Sequence, residues 1–265
     1  MIDPSSQPST RPNRLRFVSF NTRTPNPADL GNRWEKRKEW VAEFIRDTLR
    51  PDVIGLQECH HGQAVWLAER LPEYDWVGVG RSDGREKGEM VPIFHRRDRL
   101  ERLDACHFWL SETPEKPGSR SWLTSLPRMC TWARFQADGR EICVFNTHFD
   151  HVSGRARRKG AELIRSRAAE VKVPTVVMGD FNAAPGSPPH AALLDGEPHL
   201  RDAGADSNVG TFHNFTGKPG SRIDWILTTP HWQNVTYAVD RTERDGRYPS
   251  DHFPIVVEAS MAAAE

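Results

Sequence analysis

Short apolar runs with no polar face recur along this chain, and polar or acidic residues stand at their ends. Leu15–Thr22 (LRFVSFNT) and Asp52–Gln57 (DVIGLQ) place apolar side chains on both alternating faces. A strand of that kind must be covered on both sides, so any sheet it joins needs a layer above and a layer below. Asn21 closes the first run and Glu58 the second. His148 closes another, in Asn-Thr-His-Phe-Asp, and Asp180 and Asn182 follow the next, in Gly-Asp-Phe-Asn. Asp224 lies in Arg-Ile-Asp-Trp-Ile, and Asp251 and His252 precede the last strand, in Ser-Asp-His-Phe-Pro. Strand ends that point into a shared crevice are a usual place for a site.

Between these runs the spacing predicts helices over Arg33–Leu49, stopped by Pro51, and over His61–Arg70, Arg155–Lys172 and Pro188–Leu194. Further strands are predicted over Tyr74–Gly80, Met90–Arg96, Arg99–Trp109, Met129–Phe135, Glu141–Thr147, Thr175–Met178, Ile223–Thr228, Val235–Val239 and Ile255–Glu258. Strands outnumber helices, and helices separate only some of them. The class is α/β (α+β): a four-layer α/β sandwich, with two mixed β-sheets packed face to face and helices outside. No repeat or linker divides the 265 residues, so one domain is expected over 14–262. Residues 1–13, rich in Pro, Ser and polar side chains, read as a flexible tail without the apolar centre of a secretory signal. No apolar stretch is long enough for a membrane span. Cys59, Cys106, Cys130 and Cys143 form no CxxC pair and sit in or beside apolar runs, as free core thiols do, which favours the cytoplasm. The formal net charge of zero advertises no nucleic-acid partner.

Each polar strand-end residue alone has an ordinary explanation as a turn residue or a solvated charge. Together and in order they are another matter. The set Ser-Phe-Asn, Leu-Gln-Glu, Asn-Thr-His, Gly-Asp-Phe-Asn, Arg-Ile-Asp and Ser-Asp-His-Phe-Pro resembles the endonuclease/exonuclease/phosphatase superfamily, with its deoxyribonuclease-I-like fold, over roughly residues 14 to 260. The resemblance implies Glu58 as the principal carboxylate for Mg²⁺, with Mn²⁺ as an alternative, and Asn21 and Asp251 as its companions. Mg²⁺ takes hard oxygen ligands and keeps several waters, so few carboxylates suffice. His252 resembles the histidine that holds the scissile phosphate or exchanges a proton, and Asp224 the carboxylate that orients it. Asp180 resembles the residue that positions or deprotonates the attacking water, and Asn182 a donor to phosphate oxygen. These two alternate along an extended chain, which would turn both to one side. His148 resembles a second catalytic histidine, as in the pancreatic deoxyribonuclease type, and Glu89 occupies the place of its glutamate partner.

Three more residues are candidates for substrate binding. Arg128 begins a strand opposite the site and could grip phosphate bidentately. His151 could reach substrate or cap the next helix, and Arg81 lies in a charged loop that could rim the cleft. The irregular Ser111–Pro127 stretch, flanked by Trp109 and Trp122, is either a lid or the cover of a sheet edge. The expected activity is metal-assisted attack of water on a phosphate ester, most simply a small mono- or diester of the sugar or cyclitol type. The alternative is a DNA or RNA nuclease, for which the basic run Arg155–Lys159 is the one hint. Intact acidic, amide and histidine positions argue against a dead binding module, and no long apolar hairpin supports a lipid phosphodiesterase.

Overall fold

The computed structural model describes residues 14–262, so the tail expected over 1–13 lies outside the described residues. The chain passes through β1 (Arg14–Asn21), α1 (Trp34–Glu43), β2 (Val53–Gln57), β3 (Cys59–His60), α2 (His61–Arg70), β4 (Tyr74–Val77), β5 (Glu89–Met90), β6 (Ile93–Arg96) and β7 (Glu101–Trp109). It continues through β8 (Met129–Ala137), β9 (Arg140–His148), α3 (Gly154–Glu170), β10 (Thr175–Asp180), α4 (Pro188–Leu194), β11 (Arg201–Asp202), β12 (Asp224–Thr228), β13 (Trp232–Val239) and β14 (Ile255–Met261). One six-stranded sheet has the order β13-β14-β1-β2-β6-β4 and the other β11-β12-β10-β9-β8-β7. β3 and β5 form a separate two-stranded ribbon.

Both sheets follow one plan. Each has a parallel pair at its centre, β1 with β2 and β9 with β10, and antiparallel strands to either side. A helix carries the crossover in each pair, α1 in the first and α3 in the second. The four parallel strands end at Asn21, Gln57, His148 and Asp180. Because β1 and β2 pack across β9 and β10, these ends meet at one edge of the sandwich, where the backbone opens and a ligand can approach.

Alternation along the strands fills three apolar layers. Phe17, Val53, Ile93, Phe135, Val144, Val176, Ile226 and Val257 lie between the sheets. Val18, Phe20, Ile54 and Leu56 face Val41, Phe44, Ile45 and Leu67 on the side of α1 and α2. Phe145, Val177, Trp225 and Leu227 face Ala161, Ile164 and Leu193 on the side of α3 and α4. The four-layer sandwich is thus built by residues that alternate between layers at period two. Among the described residues no helix is long and apolar enough to cross a membrane.

Several element boundaries differ from expectation. α1 stops at Glu43, and Phe44–Leu49 continues it as a wider π-type turn ending at Arg50 in the left-handed region. The residue before a proline is pushed out of the helical region, which ends the segment there. β13 begins at Trp232, three residues early, and absorbs a bulge between Gln233 and Thr236. All four cysteines are free, but Cys106 is exposed, because β7 is an edge strand with an open outer face.

A buried amide locks the two sheets together. Asn146 of β9 reaches across the sandwich, and its Nδ2 donates to the carbonyls of Leu56 at 2.8 Å and Pro92 at 2.9 Å. Its Oδ1 accepts from Gln57 Nε2 at 2.7 Å. Room for this amide exists because residue 55 is glycine: a Cβ there would lie 2.6 Å from Asn146 Cγ. In an ordinary strand interior, Gly→Ala stabilises by about 0.5–1 kcal/mol. Here Gly55→Ala should instead destabilise by about 2–4 kcal/mol, the cost of leaving several buried polar groups unsatisfied. Urea unfolding would measure it, and a variant as stable as the parent would contradict the interlock.

Candidate active site

A cavity of about 560 Å³ opens over the ends of the parallel strands. Glu58, Glu89, Arg128, His148, His151, Asp180, Asn182, Asp251 and His252 all line it, so nine of the twelve residues singled out from the sequence converge there. Asn21 and Asp224 lie directly behind the wall, each bonded to a lining residue. Arg81 does not line it. That side chain is buried behind Glu89, donating from Nη1 to the Glu89 carboxylate at 2.6 Å, so it forms no rim.

On one side of the cavity carboxylates crowd together. Asn21 donates from Nδ2 to Glu58 Oε1 at 3.1 Å and to Asp180 Oδ2 at 3.0 Å. Its Oδ1 accepts from the backbone of Arg23 at 3.0 Å, so the amide joins two carboxylates to the turn that follows β1. The Thr24 N–H donates to Glu58 Oε2 at 2.8 Å. Asp251 lies 3.4 Å from Arg23 Nη1, and Asp29 holds the same guanidinium at 2.9 Å. Burial, then the neighbouring Asp224, pushes Asp180 above the usual carboxylate range, and burial raises Asp251 as well, with Glu58 adding to it.

Their surroundings push the two histidines in opposite directions. His252 Nδ1 donates to Asp224 Oδ2 at 2.9 Å, leaving Nε2 toward the cavity, 3.9 Å from Asp180. Burial opposes a charge on His252, but Asp224 outweighs it, and the imidazole is held well above its ordinary value. His148 is driven far the other way, first by burial and then by the charges of Arg128 and Arg81. Asn182 Nδ2 donates to His148 Nε2 at 3.0 Å, which leaves the His148 proton on Nδ1, the nitrogen facing Glu89. Glu89 is 3.9 Å from that nitrogen, beyond hydrogen-bond length, because Arg81 claims the same Oε2. Asp180 and Asn182 do converge, but not by strand alternation: β10 ends at Asp180, and Asn182 turns back in the left-handed region at φ +48°.

On the opposite side stands Arg128, 5% exposed. Its Nη2 meets His151 Nδ1 at 3.0 Å, and its Nε and Nη1 have no hydrogen-bond partner. The nearest carboxylate, Asp150, is 3.9 Å away. Burial and the Arg81 charge lower the pKa of Arg128. His151 does not cap α3; Ser153 does, accepting from the Ala156 N–H at 3.1 Å. The basic run Arg155–Lys159 lies on α3, where Arg158 and Lys159 pair with Glu162.

Two structural contributors escaped the sequence. Arg37, buried in α1, donates to the carbonyls of Thr22 and Pro249, tying the end of β1 to the segment that carries Asp251. Asp150 is the hub of the Ser111–Pro127 loop. Its Oδ2 accepts from Thr124 Oγ1 at 2.8 Å and from Ser125 N and Oγ at 3.1 and 2.9 Å. Its Oδ1 accepts from the N–H groups of Val152 and Ser153 at 3.0 and 2.6 Å. The loop is thereby pinned, and neither flanking tryptophan reaches the cavity. Trp109 is in the core, donating to the Arg81 carbonyl at 2.6 Å, and Trp122 bonds Glu112 at 3.2 Å. In the sequence Asp150 stands only as the last residue of Asn-Thr-His-Phe-Asp, just ahead of a helix.

A divalent cation fits the acidic side. Glu58, Asp180 and Asp251 offer hard carboxylate oxygens, and ligand atoms of Glu58, His148 and Asp180 all lie within 4.8 Å of one another. Asp180 and Asp251, held above their ordinary range by burial and by neighbouring carboxylates, are the arrangement that a bound cation would relieve.

Comparisons with known proteins point the same way. The model of the Endonuclease/Exonuclease/phosphatase family matches residues 18–252. An endonuclease/exonuclease/phosphatase from Bacteroides vulgatus is similar at 37% identity and a TM-score of 0.89, covering 94% of this chain and 99% of that one. The mannosyl-6-phosphatase of Bacteroides thetaiotaomicron is similar at 35% identity and a TM-score of 0.86, covering 93% and 100%. Nocturnin of Drosophila melanogaster is 26% identical over 278 residues, covering 86% of this chain and 42% of that protein. The chain spans about half the length of the curated relatives it matches.

Asp150 yields a stability prediction with a defined pH sign. Burial opposes its charge, but the bonds from Ser153, Thr124, Ser125 and Val152 hold it far below the usual range. A depressed carboxylate stabilises the fold above its unfolded pKa of about 3.9 and loses that contribution as pH falls below it. Asp150→Asn should therefore lower Tm by about 4–8 °C at pH 7, the scale of about 2 kcal/mol in a chain of this size. The gap between variant and parent should narrow below about pH 4. A gap that stays constant down to pH 3 would show that the charge does not matter.

Proposed function

This chain belongs to the endonuclease/exonuclease/phosphatase family, and from that premise we propose that it is a divalent-metal-dependent phosphatase acting on a small sugar-type phosphate monoester. Members of the family are metal-dependent hydrolases of phosphoester bonds. The observation that carries the narrower reading is Arg128. A buried guanidinium that lines the cavity with no carboxylate closer than 3.9 Å is a costly arrangement without an anion. A monoester dianion, with three non-bridging oxygens and a charge near −2, suits it better than a diester, which carries one charge. The similarity to a mannosyl-6-phosphatase favours the same class.

The roles follow from the geometry. Glu58, Asp180 and Asp251 would hold Mg²⁺ or Mn²⁺, with Asn21 bracing two of them, and the cation would neutralise charge developing on the phosphate. Arg128 donates to the non-bridging oxygens from the other side. His252, charged and oriented by Asp224, donates from Nε2 to a phosphate oxygen. Asp180 would also orient the water that attacks phosphorus; the bond to the sugar oxygen breaks, and the proton the water loses ends on that oxygen. Asn182 fixes the tautomer of His148, and the protonated Nδ1 of His148 faces Glu89.

The test is a substrate panel with Mg²⁺ or Mn²⁺: mannose 6-phosphate, bis(p-nitrophenyl) phosphate, plasmid DNA and RNA. The monoester should give the highest kcat/KM, activity should vanish in excess chelator, and Arg128→Gln should reduce the monoester preference about tenfold or more. Preferential cleavage of DNA or RNA would establish the nuclease alternative instead.

A second expectation concerns the Asp224–His252 pair. Asp224→Asn and His252→Ala should each lower kcat by about 10²-fold or more, and the double variant should lose far less than the product of the two. Multiplicative losses would show that the pair does not act as a unit.

A further inference from the structure

We infer that the leaving group of the substrate, a ring of about hexose size, is held in an apolar slot between Leu126 and Phe212. The inference rests on the phosphatase reading above and adds what recognises the organic half of the ester. Charged and polar side chains make up most of the cavity wall; Leu126, Phe212 and Ile223 are its apolar part. Leu126 is 40% exposed and Phe212 36%, large apolar surface left facing water inside a cavity. Covering it with the faces of a ring recovers the hydrophobic free energy that the empty cavity forgoes.

Both side chains are attached to groups that handle the phosphate. Phe212 forms a β-bridge with His252, and the two rings lie 5.0 Å apart. The segment carrying it is stiff. The Gly220 N–H donates to the Phe212 carbonyl at 2.8 Å, and a Cβ on Gly210 would lie 1.8 Å from the Gly220 carbonyl oxygen. Leu126 stands two residues before Arg128, and its carbonyl accepts from Thr124 Oγ1 at 2.7 Å. The single proton of that hydroxyl serves either this carbonyl or Asp150 Oδ2 at 2.8 Å, but Asp150 also accepts from the N–H and Oγ of Ser125, next to Leu126. Asp150 is therefore a positioning residue: it touches no substrate but sets the wall that Leu126 presents. A slot fixed before binding loses little entropy on closing around its ligand. It also explains how the Ser111–Pro127 loop narrows the cleft without moving as a lid.

The test compares mannose 6-phosphate, which has the ring, with glycerol 1-phosphate, which lacks it. Phe212→Ala and Leu126→Ala should each lower kcat/KM for the hexose ester roughly tenfold more than for the glycerol ester, mainly through KM, the scale of one lost apolar contact. Phe212→Tyr should restore the ratio. Asp150→Ala should reproduce the ratio of Leu126→Ala; where it does not fold, the Leu126 and Phe212 variants decide. Equal losses on both esters would overturn the slot and leave the phosphatase reading standing. Failure of the parent protein to hydrolyse either ester would overturn both together.

Discussion

The contact between Asn146 and the facing sheet sets everything above it. Each sheet alone could slide over an apolar layer, since hydrophobic packing has no direction. Three directed hydrogen bonds from one amide do not allow it. They fix β9 against β2, and those strands run straight on into His148 and Glu58. The distances in the cavity are thus inherited from a bond in the core, about which the two parallel pairs are arranged alike.

Charge is the second organising element. Buried ionisable groups are tolerated only when something answers them. Asp224 answers His252, Glu89 answers Arg81, Asp202 answers Arg222, and Asp150 answers a whole loop. What the cavity still presents is carboxylate raised by burial at Asp180 and Asp251, and at Arg128 a guanidinium with no carboxylate closer than 3.9 Å. A ligand that brings a cation to one side and an anion to the other completes the pattern, and a metal-bound phosphate does both.

Much of this was legible in the sequence. Buried strands announce themselves by apolar residues on both faces, and the polar residues that end them mark the edge where the site forms. Hence Glu58, His148, Asp180, Asn182, Asp251 and His252 could be placed together before any coordinates. The less legible residues depend on turns and on reach. Asn182 faces the cavity through a left-handed backbone that a period-two pattern does not contain. Arg81 reads as a rim charge but is long enough to fold back onto Glu89. Asp150 acts through Thr124 and Ser125 and Arg37 through the carbonyls of Thr22 and Pro249, all distant in sequence, and Phe212 sits in an irregular segment where no periodicity applies.

Arg23, Glu58 and Asn182 all adopt positive φ, at 61°, 55° and 48°. Asparagine accepts that conformation readily; arginine and glutamate do so at a cost of the order of 1 kcal/mol each. All three line the cavity, so part of the conformational tension of the chain lies where ligands would bind. Selection for thermal robustness alone would replace them with glycine and would erode the site in doing so. A heat-hardened descendant of this protein should therefore carry its new stability in the outer layers, and a laboratory lineage that gains it here should be suspected of having stopped working.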